Sequence, residues 1–238
     1  ALACAVTACK SLPDASTMTG APGQSTPTVT TQHGELKQKQ AAALLKRRWA
    51  RASTDLKGLA VLEEQATGVP MIAGNAVTLL FDGPATMRAM MEAARGAKKS
   101  INLETYIFDH DEIGGQFAEI LMQKRSEGVV VNIMVDGVGT LATPKEFFDR
   151  LRQAGVNVLV FNPVDPTKRP GKWALNNRDH RKIMIVDGLV AFTGGINISS
   201  TYANSSLFRS RQKPGQVDGE KVGWRDTHVK IEGPAVAP

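Results

Sequence analysis

From Val69 the sequence alternates strand-like and helix-like runs with little between them, and this alternation limits the chain to few folds. "NAVTLLFDG" is rich in β-formers, and "PATMRAMMEAARGA" follows with Pro84 at a helix start and Gly96 near its end. "SINLETYIF", "VVVNIMVDG" and "VNVLVFN" repeat the strand signal. Between them lie "GGQFAEILMQKRSEG", stopped by Gly128, and "TPKEFFDRLRQAG", with Thr143 expected as N-cap and Pro144 as the first helical residue. The order β-α-β-α-β-α-β joins strands by crossover helices. It predicts an α/β fold with a mostly parallel sheet and helices on both faces. "VVVNIMV" is almost wholly apolar, so its strand is expected to be buried on both sides. Beyond it the pattern changes. "PVDPTKRPGKWALNNRD" reads as a loop, two strands meet at Asp187-Gly188, and the polar "YANSSLFRSRQKPGQVDGEK" leads to a last strand, "WRDTHVKI".

Composition divides the rest of the chain. Residues 1–9, "ALACAVTAC", are small and apolar and hold both cysteines; they read as the remnant of a secretory signal. Val6-Thr7-Ala8-Cys9 resembles a bacterial lipobox. That implies lipidation of Cys9 and an exported protein anchored in a bacterial cell envelope, facing the periplasm; a cleaved signal without a lipid is the other reading. Residues 10–33 are rich in Ser, Thr, Pro, Gly and Ala, bury too little to order themselves, and read as a flexible linker. Residues 34–68 form a helical segment of one or two helices, with Lys37, Lys46, Arg47, Arg48 and Arg51 facing solvent or an anionic membrane surface. Residues 69–238 carry the main domain. No window of 18 apolar residues exists, so a complete transmembrane helix is excluded. The net charge of +6 suits an anionic partner without choosing among phosphates, nucleic acid and acidic lipid.

The chemistry concentrates in "DHRKIMIVDGLVAFTGGIN". Two β-branched runs joined by Asp-Gly signal a hairpin, which gives Asp187 and Gly188 a structural task whether or not a reaction occurs nearby. His180 and Lys182 are two residues apart at the start of the first strand, so both project from one face, together with Met184 and Val186. An imidazole and an ammonium on one face suit an anionic substrate. A buried lysine is costly unless it is paired or stands at a cleft. There it would hold a phosphate oxygen as a point charge. Gly194 and Gly195 admit a close backbone approach, and Asn197 is placed to donate its amide to an oxyanion.

His180-x-Lys182-x4-Asp187-x6-Gly194-Gly195-x-Asn197 resembles the HKD signature of the phospholipase D superfamily. Six fixed positions would match by chance about once in 10^8 windows. "LETYIF", "GVVVNIMVDG", "DHRKIMIVDG" and "WRDTHVKIEGPAV" resemble, in this order, the first half of the cardiolipin synthase-like branch. The resemblance implies an α-β-α sandwich with a mixed, mostly parallel central sheet. It implies two HKD motifs converging on one phosphodiester: one histidine forms a phosphohistidine, the other protonates the leaving alcohol and then activates water or an alcohol. Neither a metal nor another cofactor is implied. Carried onto this chain, His180 is the catalytic imidazole, Lys182 and Asp187 complete the motif, and Lys182, Gly195 and Asn197 bind the phosphoryl group. Asp226, and more weakly Glu104, orient the imidazole. An imidazole titrating near pH ~6.5 suits every role asked of it.

No second motif follows. "HVK" at His228 lacks the downstream Asp and the glycine pair and reads as part of an alternating strand; His110 reads as cleft-lining or as a capping neighbour. The partner half is therefore expected either in cis, in a longer protein, or from a second copy. The expected substrate is a phospholipid such as phosphatidylglycerol at a membrane. Alternatives are a secreted phosphodiesterase or nuclease completed by homodimerisation, and an inactive isolated half. Aromatic residues are only 5%, few for stacking on single strands, which ranks the nuclease second.

Overall fold

The computed structural model describes residues 26–164, 176–203 and 226–236. Cys9, most of the expected linker and parts of the two long loops lie outside the described residues. The chain divides into two compact units, Ala1–Gly74 and Asn75–Pro238.

In the first unit, β1 (Val29–Thr31) pairs antiparallel with β2 (Gly34–Glu35) and parallel with β3 (Met71–Ile72). Two helices, α1 (Gln38–Arg48) and α2 (Leu56–Thr67), lie between them in sequence. The Asp55 carboxylate caps α2 by accepting from the Gly58 amide, and Gly68 closes the helix at φ 69°. Val29, Ala41 and Leu45 are buried, with Leu36, Trp49 and Met71 packed against them. Val29–Thr31 is thus a strand rather than linker, and Met71–Ile72 belongs to this unit rather than to the domain expected from residue 69. Pairing between segments so distant in sequence leaves no local trace in either one.

The second unit contains β4 (Ala76–Leu80), α3 (Gly83–Gly96), β5 (Ser100–Thr105), α4 (Glu112–Ser126), β6 (Val130–Asp136), α5 (Lys145–Gln153), β7 (Asn157–Phe161), β8 (Ile183–Val186), β9 (Val190–Gly194), α6 (Ser200–Ala203) and β10 (His228–Glu232). Its sheet has seven strands in the order β4-β10-β9-β8-β5-β6-β7. The expected mixed α/β sheet is present, and five of the strands run in one direction. Because β8 and β10 run against them and sit between them, only β5-β6 and β6-β7 are parallel neighbours, and the other four pairings are antiparallel.

Capping starts the helices. Asp82 accepts from the Ala85 amide at 2.8 Å to start α3, and Asp111 accepts from Gly114 at 2.9 Å to start α4. At α5 the start lies one residue later than expected. Pro144 is the N-cap, and the Thr143 hydroxyl instead donates to the Phe108 carbonyl at 2.7 Å.

Burial is one-sided. Ile101, Leu103, Val131, Ile133, Val135, Met184, Val186 and Phe192 face a core shared with Met87 and Met90 of α3, Phe117 and Leu121 of α4, and Phe147 and Leu151 of α5. The opposite face carries Asn102, Asn132 and Asn157, joined across three strands by amide bonds of 2.7 and 2.8 Å. So β6 alternates buried and half-buried residues and is not buried on both sides as its composition suggests. Among the described residues, the helices of this unit pack on one face only.

The sheet brings the entry to β8, with His180 and Lys182, and the end of β9, with Gly194, to one end. Leu80, Thr105, Asp136, Phe161 and Gly194 end strands there, while β8 and β10 begin there. In open α/β sheets this end is where ligands bind.

Candidate active site

His180 sits just ahead of β8, in the segment entering the sheet beside Glu104 at the end of β5. Its side chain is exposed, and its ring leans on Tyr106, with centroids 4.6 Å apart and planes at 51°. Lys182, on the core-facing side of the same segment, is 5% exposed. Its Nζ donates to the His180 carbonyl at 2.7 Å and lies 5.1 Å from the Tyr106 ring centroid. Burial lowers the Lys182 pKa to about 8, against the attraction of Asp226, Asp179 and Asp136. The ammonium therefore remains largely charged at neutral pH. His180 and Lys182 both precede β8, one exposed and one buried, and Tyr106 lies against both.

Asp187 is elsewhere. It ends the far side of β8, in the turn to β9 at φ 56°, and accepts from the amides of Lys98, Lys99 and Ser100 at 2.8, 2.7 and 2.9 Å. Burial raises its pKa, but these three donors and the Lys99 charge outweigh burial and the pKa is lowered. Its work is to tie the hairpin turn to the α3–β5 connection, at the end of the sheet away from His180.

Asn197 is 1% exposed, and its amide is engaged. Its Oδ1 accepts from the Ile107 amide at 3.0 Å and the Thr105 hydroxyl at 3.4 Å, while Nδ2 donates to the Tyr202 hydroxyl at 2.8 Å. It clamps the stretch after β5 to the stretch after β9. The glycine pair admits other parts of the chain. A β-carbon at Gly194 would lie 2.4 Å from the Thr227 carbonyl oxygen, and one at Gly195 would lie 2.0 Å from the Asp226 carboxylate. Asp226 thus stands against Gly195, and its field raises the pKa values of both Lys182 and His228.

Glu104 meets Arg181 rather than the imidazole. Its carboxylate is 2.7 Å from the Arg181 guanidinium, which also binds Asp179 at 2.5 Å. Burial, then a hydrogen bond with Asp179 and its charge, raise the Glu104 pKa to about 7, against the Arg181 charge. The Arg181 hydrogen bond holds the Asp179 carboxyl well below the usual range. Neither Asp226 nor Glu104 hydrogen-bonds the His180 ring among the described residues.

His228, read as an ordinary strand residue, is 1% exposed. Its Nδ1 accepts from the Ile196 amide at 3.3 Å, and burial lowers its pKa to about 4, so it is neutral beside Lys182. His110 is exposed with its ring 5.0 Å from Phe147, and the capping belongs to its neighbour Asp111. Among the described residues, no group of three or more His, Cys, Asp or Glu converges as a metal site.

Tyr106, Asp136, Arg178 and Asp179 escaped the sequence reading. The available signals were an aromatic two residues beyond Glu104, and an Asp-Gly closing an apolar strand.

Residues 90–207 match the profile of the cardiolipin synthase, phospholipase D-like domain family. The second unit therefore carries a phospholipase D-like domain of the cardiolipin synthase type. Relatives include cardiolipin synthase A of Pseudomonas fluorescens, 37% identical over 172 residues, covering 71% of this chain and 32% of the relative. The cardiolipin synthase of Halalkalibacterium halodurans is 40% identical over 159 residues, 66% of this chain and 29% of its own. The chain thus spans about a third of the length of these relatives. Solved structures that resemble it include Nuc of Salmonella typhimurium, a phospholipase D family member, with TM-score 0.45 and 18% identity over 67% of this chain and 84% of that one. Phosphatidylserine synthase of Haemophilus influenzae has TM-score 0.49 and 17% identity, covering 66% and 33%.

Proposed function

We propose that this chain supplies one catalytic half of a phosphatidyltransferase or phospholipase D acting on phospholipids. The observation that carries this is the exposed His180 imidazole standing on Tyr106, with the buried Lys182 ammonium donating to the His180 backbone carbonyl, at the ligand-binding end of the sheet. The similarity to cardiolipin synthases supports the lipid substrate.

One imidazole of a pair attacks phosphorus, the phosphorus–oxygen bond to the leaving alcohol breaks, and the other imidazole gives that oxygen its proton. The second imidazole then takes a proton from an incoming alcohol or water, whose oxygen displaces the phosphohistidine. With two phosphatidylglycerol molecules the products are cardiolipin and glycerol. Lys182 neutralises charge on the equatorial oxygens. A further histidine is needed, supplied by a second half in cis or by a second copy. Attachment through a lipidated Cys9 at a membrane facing the periplasm belongs to the same proposal.

The test uses the full-length protein with phosphatidylglycerol vesicles and, in parallel, a nucleic-acid substrate. Turnover should occur on the lipid, with an acid-labile, base-stable phosphohistidine that is lost in one of the two histidine variants. His180→Asn should lower turnover by at least about 10^3-fold. Full activity in that variant would overturn the mechanism; turnover of nucleic acid alone would overturn the substrate. A mass increase on Cys9 in protein isolated from membranes checks the anchor.

A further inference from the structure

Among the described residues, the segment leading into His180 contains no regular element, yet its backbone is held by the Asn162 amide on the Asn177 carbonyl and, next to His180, by a buried carboxylate. Asp136, the last residue of β6, is 1% exposed. Its Oδ2 accepts from the Asp179 amide at 3.0 Å, one residue before His180. Its Oδ1 accepts from the Val138 and Gly139 amides at 2.7 and 3.2 Å and lies 3.4 Å from the Arg178 guanidinium. Arg178 also donates to the Asn162 carbonyl at 2.8 Å.

The two oxygens therefore hold two different loops. One carries His180. The other carries Gly139, and the turn around Gly139 is pressed against Tyr106. A β-carbon at Gly139 would lie 2.0 Å from the Tyr106 carbonyl oxygen and 3.0 Å from its ring. Tyr106 in turn carries the His180 ring at 4.6 Å. Both supports of the imidazole, its backbone and the aromatic ring beneath it, lead back to Asp136. The Asp-Gly-x-Gly sequence then has a physical reading: an acceptor with two oxygens, followed three residues later by a position without a side chain where Tyr106 passes.

We propose that Asp136 is the positioning residue of this site, fixing the His180 ring on Tyr106 by holding the loops that carry each. The proposal concerns His180 placement alone and is independent of whether the substrate is a lipid. A readout without substrate therefore separates its failure from that of the proposed function.

The test is NMR of the isotopically labelled chain, with the His180 ring signals assigned by their loss in His180→Gln. Tyr106→Leu marks where those signals fall when the tyrosine ring current is absent. Asp136→Asn keeps the size of the side chain but presents an amide to one of its N–H partners. In a variant shown to be folded by circular dichroism, the His180 ring signals should move at least halfway toward their Tyr106→Leu positions. Thr140→Val is the control, since it removes a 2.7 Å bond from the Thr140 hydroxyl to the Asp136 carbonyl oxygen without touching the carboxylate. It should lower stability and leave the His180 signals in place. Unmoved His180 signals in folded Asp136→Asn would overturn the proposal, as would an equal displacement in Thr140→Val. If Asp136→Asn does not fold, Gly139→Ala and Arg178→Gln each disturb one arm. Each should then move the His180 signals, and unmoved signals in both would overturn the proposal.

Discussion

The sharpest test of the site concerns Asp187, the aspartate of the motif. It accepts three backbone N–H bonds, from Lys98, Lys99 and Ser100, at the end of the sheet away from His180. A hydrogen bond to a charged acceptor contributes about 1.5–3 kcal/mol when shielded, and solvent access at this half-buried turn reduces each to about 1 kcal/mol. Asp187→Ala should therefore cost about 3 kcal/mol, plus about 1 kcal/mol for alanine in the left-handed conformation. Asp187→Asn tolerates that conformation and keeps one acceptor oxygen, so it should lose about 1–2 kcal/mol. Against a typical stability of 5–15 kcal/mol both variants remain folded.

The sign with pH follows from the lowered pKa. The contribution is present above the unfolded carboxyl value near pH ~4 and is lost as pH falls through the lower folded value, so the gap between wild type and Asp187→Ala should narrow in acid toward the backbone cost of about 1 kcal/mol. Urea unfolding followed by circular dichroism at pH 7 and pH 3 measures this. Activity of folded full-length Asp187→Asn should stay within about threefold of wild type, because no transition-state contact is removed. A stable Asp187→Asn with a loss beyond a hundredfold would refute the assignment of Asp187 as structural.

Lys182→Met should unfold at the same or a higher urea concentration, since it removes a desolvated charge, while turnover falls by about 10^2-fold or more. The lowered Lys182 pKa of about 8 means that wild-type stability gains from the neutral amine between about pH 8 and the unfolded value near ~10.4; this rise should be absent in Lys182→Met. Glu104, raised to about 7, binds its proton more tightly in the folded state, so it makes stability fall as pH rises from about 4.5 to 7. Glu104→Gln should flatten that slope in urea midpoints taken at pH 5 and pH 8. Asn197→Ala removes three buried hydrogen bonds and should cost about 3 kcal/mol, against about 1 kcal/mol for Tyr202→Phe, both read from urea unfolding.

Much of the second unit was legible in sequence because its signals are local. Asp187-Gly188 announced the hairpin, Pro84 and Gly128 marked the start of α3 and the end of α4, and the two-residue spacing put His180 and Lys182 together ahead of β8. The errors have local causes too. Apolar composition cannot distinguish a strand buried on both faces from one whose outer face carries Met134 half-exposed, as β6 does. Thr143 has the chemistry of a cap, yet the Phe108 carbonyl lay within its reach.

The sequence by itself determined the family of the fold and the pairing of one imidazole with one ammonium ahead of β8. These rest on spacing, and two residues so close in sequence cannot stand far apart. Tertiary structure decided which partners each polar group meets. It placed Asp187 at the far end of the sheet, turned Glu104 toward Arg181 and Asp179, and put His180 on Tyr106 with Asp136 behind both. Hydrogen-bond partners distant in sequence are set by how strands order in the sheet. Here β8 lies between β5 and β9, an order that no local pattern of residues encodes.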